Sequence, residues 1–293
     1  MATCAYLGLG AMGGPMARHL GAKGHTVTVW NRSPGRVEAW RAAGGLGLPA
    51  SSASQAIVGA EFVLLCLGDD PDVEAVFGDI EVAVAEGMVV IDHTTGSAGL
   101  ARRLAARCEA RGARFLDAPV SGGQAGAENG QLTVMVGGDE AAFTRAGPVI
   151  NAYAKQITRI GGSGDGQLAK SVNQICIAGV VQGLAEGLHF ARRSRLDEAK
   201  VIEAISKGAA QSWQLENRWK SMIEGRFEFG FAVDWMRKDL RIALAEARES
   251  GASTPVTALV DQFYADVQAE GGGRWDTSSL IARLNRPESG PTR

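Results

Sequence analysis

Short apolar runs recur through the first half of the chain, at 5–7, 26–30, 62–66, 89–91 and 115–116. Runs of this length between turn residues read as strands buried on both faces of a parallel sheet. Helical spacing of apolar residues fills the gaps at 12–22, 34–43, 73–77 and 97–111. Ser33 ahead of Pro34 has the form of an N-cap followed by proline at the first helical position. Strand and helix in alternation predict a doubly wound α/β sheet, with runs at 132–136 and 157–160 completing its far edge.

The pattern changes after Gly161-Gly162-Ser163-Gly164. From 167 to 193 the chain has helical composition without proline, enough for a helix of about 40 Å at roughly 1.5 Å per residue. Apolar residues fill most of its faces, which predicts burial. Helical stretches follow at 197–207, 213–223, 233–250 and 254–269, with no strand signal. The expected organisation is therefore a sheet domain over 1–162 and an all-α domain over 163–293, joined by the long helix. The last residues, 287–293, are expected to fray.

Composition narrows the function classes. With 45% hydrophobic and 21% charged residues over 293 positions, the chain is an ordinary globular protein with a substantial core. A net charge of -2 offers no basic surface for nucleic acid or an anionic membrane, and no apolar run is long enough to span a bilayer. Cys4, Cys66, Cys108 and Cys176 lack any paired spacing, which predicts reduced thiols and no zinc site or other metal centre. The first residues, MATCAYLGLGAMGG, carry no basic region and no signal-peptide apolar stretch, so the expected location is cytoplasmic.

Gly8-Leu9-Gly10-Ala11-Met12-Gly13 matches GxGxxG directly after a strand and at the opening of a helix. The first glycine permits the tight turn, the second lets backbone amides approach a pyrophosphate, and the third lets helix and strand pack closely. In that context the motif predicts dinucleotide binding by a Rossmann-type domain. At the end of the second strand, where NAD sites place Asp or Glu on the ribose, stand Asn31-Arg32-Ser33. No carboxylate repels a 2′-phosphate there, and Arg32 can grip one through charge-assisted hydrogen bonds. NADP(H) is therefore expected in preference to NAD(H).

Two later strand ends carry polar clusters, Asp92-His93-Thr94-Thr95-Gly96 and Asp117-Ala118-Pro119-Val120-Ser121-Gly122-Gly123. Ligands of open α/β sheets bind outside the carboxyl ends of strands. Ser121 with the amides of Gly122 and Gly123 would suit a substrate carboxylate, although a plain glycine-rich turn has the same look. His93 reads as a hydrogen-bonded structural group rather than a base. On the long helix Lys170, Asn173 and Gln174 fall at i, i+3 and i+4 and share a face. Burial of that lysine would lower its pKa toward proton transfer; the same polar face could instead hydrogen-bond across a helix interface.

These motifs recur together in one family. GLGAMG, DAPVSGG, the GxxxKxxNQ pattern of Gly166, Lys170, Asn173 and Gln174, and Lys238-Asp239 resemble, in order and spacing, the β-hydroxyacid dehydrogenases. The similarity runs from Ala5 to about Leu284. It implies Lys170 as catalytic acid/base and Asn173 as the residue that orients the substrate. It further implies Ser121, Gly122 and Gly123 as holders of the substrate carboxylate. Cofactor contacts would come from Gly8–Gly13, Cys66-Leu67, Thr95 and Lys238. Gln174 follows the Asn-Gln variant of tartronate semialdehyde reductases. Asp92-His93-Thr94-Thr95 departs from the commoner Ser-rich loop, and Gly68-Asp69-Asp70 from the usual proline; both bear on the substrate, neither on the reaction type.

The implied activity is interconversion of a small carboxylate-bearing β-hydroxy acid with its semialdehyde or keto partner. An imine reductase shares this architecture but usually replaces the lysine, which is present here as Lys170. A non-catalytic NADP-binding module would lack the lysine and add a reader domain. The apolar breadth of 167–193 exceeds what the helical domain would cover, so at least a homodimer, or a homotetramer, is expected.

Overall fold

The computed structural model of the protein describes residues 1–285. The predicted fraying at 287–293, and the end of the second predicted domain, lie outside the described residues. The chain divides into two compact units, Met1–Lys170 and the residues from Ser171 onward.

The first unit holds one nine-stranded sheet. Its strands are β1 (Thr3–Leu7), β2 (Thr26–Trp30), β3 (Leu48–Pro49), β4 (Phe62–Leu65), β5 (Val89–Asp92), β6 (Arg114–Asp117), β7 (Val120–Ser121), β8 (Leu132–Gly138) and β9 (Ala154–Gly161). Between them run α1 (Gly13–Ala22), α2 (Pro34–Ala42), α3 (Ala53–Ala56), α4 (Asp70–Ile80), α5 (Ala98–Glu109), α6 (Gly123–Glu128) and α7 (Glu140–Ile150). Strands β3-β2-β1-β4-β5-β6 lie side by side and parallel. The apolar runs become buried strands because both faces are covered. Cys4, Tyr6 and Leu64 pack with Met16 and Leu20 of α1 on one side. Their alternating neighbours Ala5, Leu7 and Leu65 pack with Phe77 of α4 and Leu104 of α5 on the other.

The far edge is less regular. β8 runs antiparallel to both β6 and β7. The pairs Leu116↔Gly138, Asp117↔Gly137, Val120↔Val134 and Ser121↔Thr133 keep one register throughout. Segments β6 and β7 are thus a single strand interrupted at Ala118-Pro119. On the other side of β8 lies β9, parallel to it and mostly exposed.

Several elements depart from the sequence pattern. The helix expected at 73–77 extends over Asp70–Ile80, because Asp69 caps it by accepting the Asp70 amide at 2.8 Å. Nothing in the pattern announced β3, with two residues, or α7, whose interior Pro148 reads as a helix breaker. Pro34 does open α2, but the Ser33 side chain makes no capping bond.

The second unit is helical. Helix α8 (Asp165–Arg193) opens in the first unit and continues into the second. After it come α9 (Glu198–Ile205), α10 (Trp213–Glu224), α11 (Val233–Ser250), α12 (Pro255–Ala269) and α13 (Leu280–Leu284). Its core gathers Ala178, Val181, Ala185 and Leu188 of α8 around Met236, Leu240, Val260 and Tyr264. The burial expected all round the long helix is corrected: Val172, Cys176, Val180 and Phe190 are exposed along one side.

Candidate active site

The register of the sheet aligns Trp30, Leu7, Leu65, Asp92 and Asp117 in one row across five parallel strands. The ladder carries one step further through the amides of Gly8, Cys66, His93 and Ala118, each bonded to the row's carbonyl next door at 2.7–3.0 Å. The loops predicted to bind cofactor therefore all leave the same carboxyl edge, where such sheets hold ligands.

The glycine-rich loop fits a pyrophosphate. A Cβ on Gly13 would stand 2.1 Å from the Gly8 carbonyl oxygen and 3.1 Å from Tyr6, so only glycine lets α1 sit this close to β1. A Cβ on Gly10 would meet no protein atom within 4 Å. Helix α1 has no acidic residue in its first turn and no side-chain cap, whereas Asp69, Ser97 and Asp139 cap α4, α5 and α7. Uncapped amides at a helix N-terminus suit a phosphate. The donor set fits a dinucleotide, with Leu9, Gly10, Ala11 and Met12 at the approach.

Asn31 is occupied within the protein: its Oδ1 accepts the Leu9 amide at 2.9 Å and its Nδ2 donates to the Ser33 carbonyl at 3.1 Å. It shapes the glycine loop through these bonds. Arg32 extends into solvent, its side chain 78% exposed, and donates through Nη1 to Asp72 Oδ1 at 2.9 Å. The sequence pattern gave no sign of that partner, which comes from the first turn of α4.

The loop carrying Thr95 is clamped at several points. Thr94 Oγ1 accepts the Leu67 amide at 2.9 Å. Asp70 accepts the Ser97 amide and hydroxyl at 2.9 and 2.5 Å. Gln167, 3% exposed in the first turns of α8, donates through Nε2 to the Thr94 carbonyl at 2.7 Å. Its Oε1 accepts the Gly96 amide at 3.0 Å. Sequence reasoning missed Gln167, although it lies three residues before Lys170 on the same helical face.

Asp117 anchors the same helix, accepting the Gly164 amide on Oδ1 at 2.7 Å and the Gln167 amide on Oδ2 at 2.9 Å. Burial raises its carboxyl to about 6, opposed by those amides. Burial likewise raises Asp92 to about 7, opposed by the Thr94 hydroxyl and amide. His93 is also buried, and desolvation lowers it to about 4. Its Nδ1 lies 2.7 Å from the Ala118 carbonyl and its Nε2 2.8 Å from the Tyr153 hydroxyl. The carbonyl can only accept, so neutral His93 donates from Nδ1 and accepts at Nε2 from Tyr153. Its Nδ1 holds the chain just ahead of Pro119, Val120 and Ser121, and its Nε2 is anchored by Tyr153.

Ser121 is half-buried, and Gly122 and Gly123 are exposed with φ of +130° and +62°. Left-handed backbone at two successive residues requires glycine and turns the chain into α6. Lys170, the last residue of the first unit, is 7% exposed.

In the second unit Gln174, buried, donates through Nε2 to Asp239 Oδ2 at 2.6 Å. Lys238 Nζ sits 3.0 Å from Asp239 Oδ1. With its amide nitrogen fixed by Asp239, Gln174 leaves Oε1 buried without a hydrogen-bond partner, as is Asn173 Oδ1. Such acceptors suit a ligand that brings hydroxyl or ammonium donors. Among the described residues no group of three or more His, Cys, Asp or Glu is placed to hold a metal ion. No described helix is long and apolar enough to cross a membrane.

A glycine-rich turn at the carboxyl edge of a doubly wound sheet marks a dinucleotide-binding domain, here followed by a helical unit. Residues 3–162 match the family model of the NAD binding domain of 6-phosphogluconate dehydrogenase. Residues 164–284 match that of the NAD-binding domain of NADP-dependent 3-hydroxyisobutyrate dehydrogenase. An uncharacterized oxidoreductase of Shewanella frigidimarina is 57% identical over 99% of this chain and 100% of its own length. The 2-hydroxy-3-oxopropionate reductase of Escherichia coli is 36% identical over 95% and 96%. The Mycobacterium tuberculosis 3-hydroxyisobutyrate dehydrogenase, solved with L-serine, superposes with a TM-score of 0.90 at 32% identity, covering 98% of this chain and 100% of that one. The chain belongs to the β-hydroxyacid dehydrogenase family.

Proposed function

We propose that the protein is an NADP(H)-dependent enzyme interconverting a small β-hydroxy acid and its semialdehyde or keto partner. The observation that carries this reading is Lys170: a buried lysine, 7% exposed, on a helical face shared with Asn173 and Gln174. The similarity to 2-hydroxy-3-oxopropionate reductase and 3-hydroxyisobutyrate dehydrogenase supports the substrate class. In this division of labour residues 1–162 bind the nucleotide and residues 163–293 complete the substrate side and the oligomer.

The bound nicotinamide supplies or accepts the hydride. In reduction Lys170 donates a proton from Nζ to the oxygen of the carbonyl as it becomes an alkoxide, then regains one from solvent. In oxidation it takes the alcohol proton. Asn173 orients the substrate, with Gln174 as its neighbour in contact, and the Ser121 hydroxyl with the Gly122 and Gly123 amides holds the carboxylate. Gly8, Leu9, Gly10, Ala11, Met12 and Gly13 cradle the pyrophosphate, and Cys66, Leu67, Thr95 and Lys238 line the dinucleotide further along. Arg32, with Ser33 beside it, selects the 2′-phosphate, and Asn31 holds that turn to the glycine loop. The unpaired sequence spacing of the four cysteines fits a reducing cytoplasm, and the exposed Val172, Val180 and Phe190 of α8 fit a homodimer or homotetramer.

The test is NADPH oxidation with glyoxylate, succinic semialdehyde, tartronate semialdehyde and methylmalonate semialdehyde beside butyraldehyde and cyclic imines. At least one acid should exceed butyraldehyde in kcat/KM by more than tenfold, as a charge-assisted hydrogen bond of about 1.5–3 kcal/mol requires. Faster turnover of the imines, or of butyraldehyde, sinks the reading.

A further inference from the structure

Gln167 is the one buried amide side chain that reaches from α8 back to the loop of Thr95. Its Nε2 donates to the Thr94 carbonyl and its Oε1 accepts the Gly96 amide, at 2.7 and 3.0 Å. These two backbone groups bracket Thr95. The same side chain starts from the helical turn that carries Lys170, and its own amide is held by Asp117 Oδ2 at 2.9 Å. Ser97, at the other end of the loop, is tied to Asp70.

Both ends of the Gln167 amide are bonded to the loop, and the group is sealed from water at 3% exposure. A buried polar group bonded at both ends fixes relative position in a way that apolar packing does not. Lys170 and Thr95 thereby share one rigid frame within the first unit, although 75 positions of sequence separate 95 from 170.

We infer that Gln167 is a positioning residue for the hydride step, setting the Thr95 loop against the Lys170 turn of α8. The inference rests on the proposed roles of Thr95 at the cofactor and Lys170 as acid/base. Proton and hydride must be delivered to adjacent atoms, so a frame loosened by an ångström lowers the rate of chemistry while leaving binding of the dinucleotide to the glycine loop intact.

The experiment compares wild type with Gln167→Met, which keeps length and helix propensity but removes both bonds, and with Gln167→Glu. Amide exchange over 93–98, measured without substrate, should quicken in the Met variant. Its kcat with NADPH and the fastest aldehyde acid of the panel above should fall at least about tenfold, with NADPH affinity within about threefold. The isotope effect from NADPH deuterated at the transferring position should rise as hydride transfer becomes rate-limiting. In the Glu variant a protonated carboxyl restores a donor to the Thr94 carbonyl. Its kcat relative to wild type should therefore rise as pH falls, while the Met ratio stays flat.

A structural tie alone would lower the thermal midpoint and leave kcat per folded molecule, the isotope effect and the pH ratio unmoved; that result overturns the inference. Unchanged exchange over 93–98 in the Met variant overturns it as well. Should the Met variant not accumulate folded, a Glu-to-wild-type ratio independent of pH overturns it alone. Failure of the functional reading shows differently: wild type reduces no acid in the panel, while exchange still reports the clamp.

Discussion

Asp92 and Asp117 are register partners on β5 and β6, two carboxylates buried side by side where parallel strands end. Burial holds Asp92 at about 7 and Asp117 at about 6, both above the ordinary 3.8. At these two carboxyls the folded protein binds more protons than the unfolded between pH 4 and 7, so their contribution to stability falls as pH rises through that window. His93 acts oppositely: lowered to about 4 from 6.5, it loses stability as pH falls through that range. Asp92→Asn keeps an acceptor for the Thr94 amide and removes one titrating carboxyl. Its stability relative to wild type should rise between pH 4.5 and pH 8, measured as the urea midpoint. A difference that is constant with pH would show that Asp92 does not titrate in this window.

Gly10 offers a clean probe of the cofactor cradle, because an added methyl touches no protein atom. Gly10→Ala should hold its thermal midpoint within a few degrees and weaken NADPH binding by at least about tenfold, the loss of one amide–phosphate bond. Gly13→Ala should unfold the loop, since its Cβ would collide with the Gly8 carbonyl. Wild-type NADPH affinity in Gly10→Ala, by fluorescence titration, would remove the loop from the binding site.

Arg32 faces a choice between Asp72 and a 2′-phosphate. An ion pair as exposed as Arg32–Asp72 is worth about 0–1 kcal/mol, against about 1.5–3 kcal/mol for a charge-assisted bond to phosphate. On the proposed NADP(H) preference the phosphate is the stronger partner, weakened by the competitor. Asp72→Asn should therefore raise kcat/KM for NADPH over NADH by up to about fivefold, and Arg32→Asp should lower it by about tenfold or more. Equal kcat/KM for the two nucleotides in wild type would refute the preference altogether.

Lys170→Met keeps side-chain length and helix propensity while removing the proton and charge. General acid–base catalysis contributes about 10²–10⁴-fold, so kcat should fall by at least about 10²-fold with NADPH affinity nearly unchanged. Steady-state rates beside a cofactor titration decide it. Retention of more than about a tenth of wild-type kcat assigns the proton to another group.

The sheet was legible because its strands are buried on both faces and so read as bare apolar runs, and because GLGAMG falls where a strand meets a helix. That Lys170, Asn173 and Gln174 share a helical face was legible from their spacing, and Lys170 and Gln174 are buried there. The long-range ties of the surrounding loops were not legible. Gln167 meets the Thr94 carbonyl across 73 residues and Arg32 meets Asp72 across 40, distances at which no local periodicity operates. Asn31 illustrates a subtler gap: its position beside Arg32 marked it for the cofactor, while both ends of its amide are bonded to backbone.

Strand β9 closes the sheet with one side of its backbone ladder unshared among the described residues. A bare ladder of eight residues is a template on which another chain can add a strand, the first step toward fibrous aggregation. Lys155 and Arg159 stand exposed along it and oppose such stacking by charge. Removing both charges beside the already exposed Ile160 would take away that opposition and favour self-association through this edge.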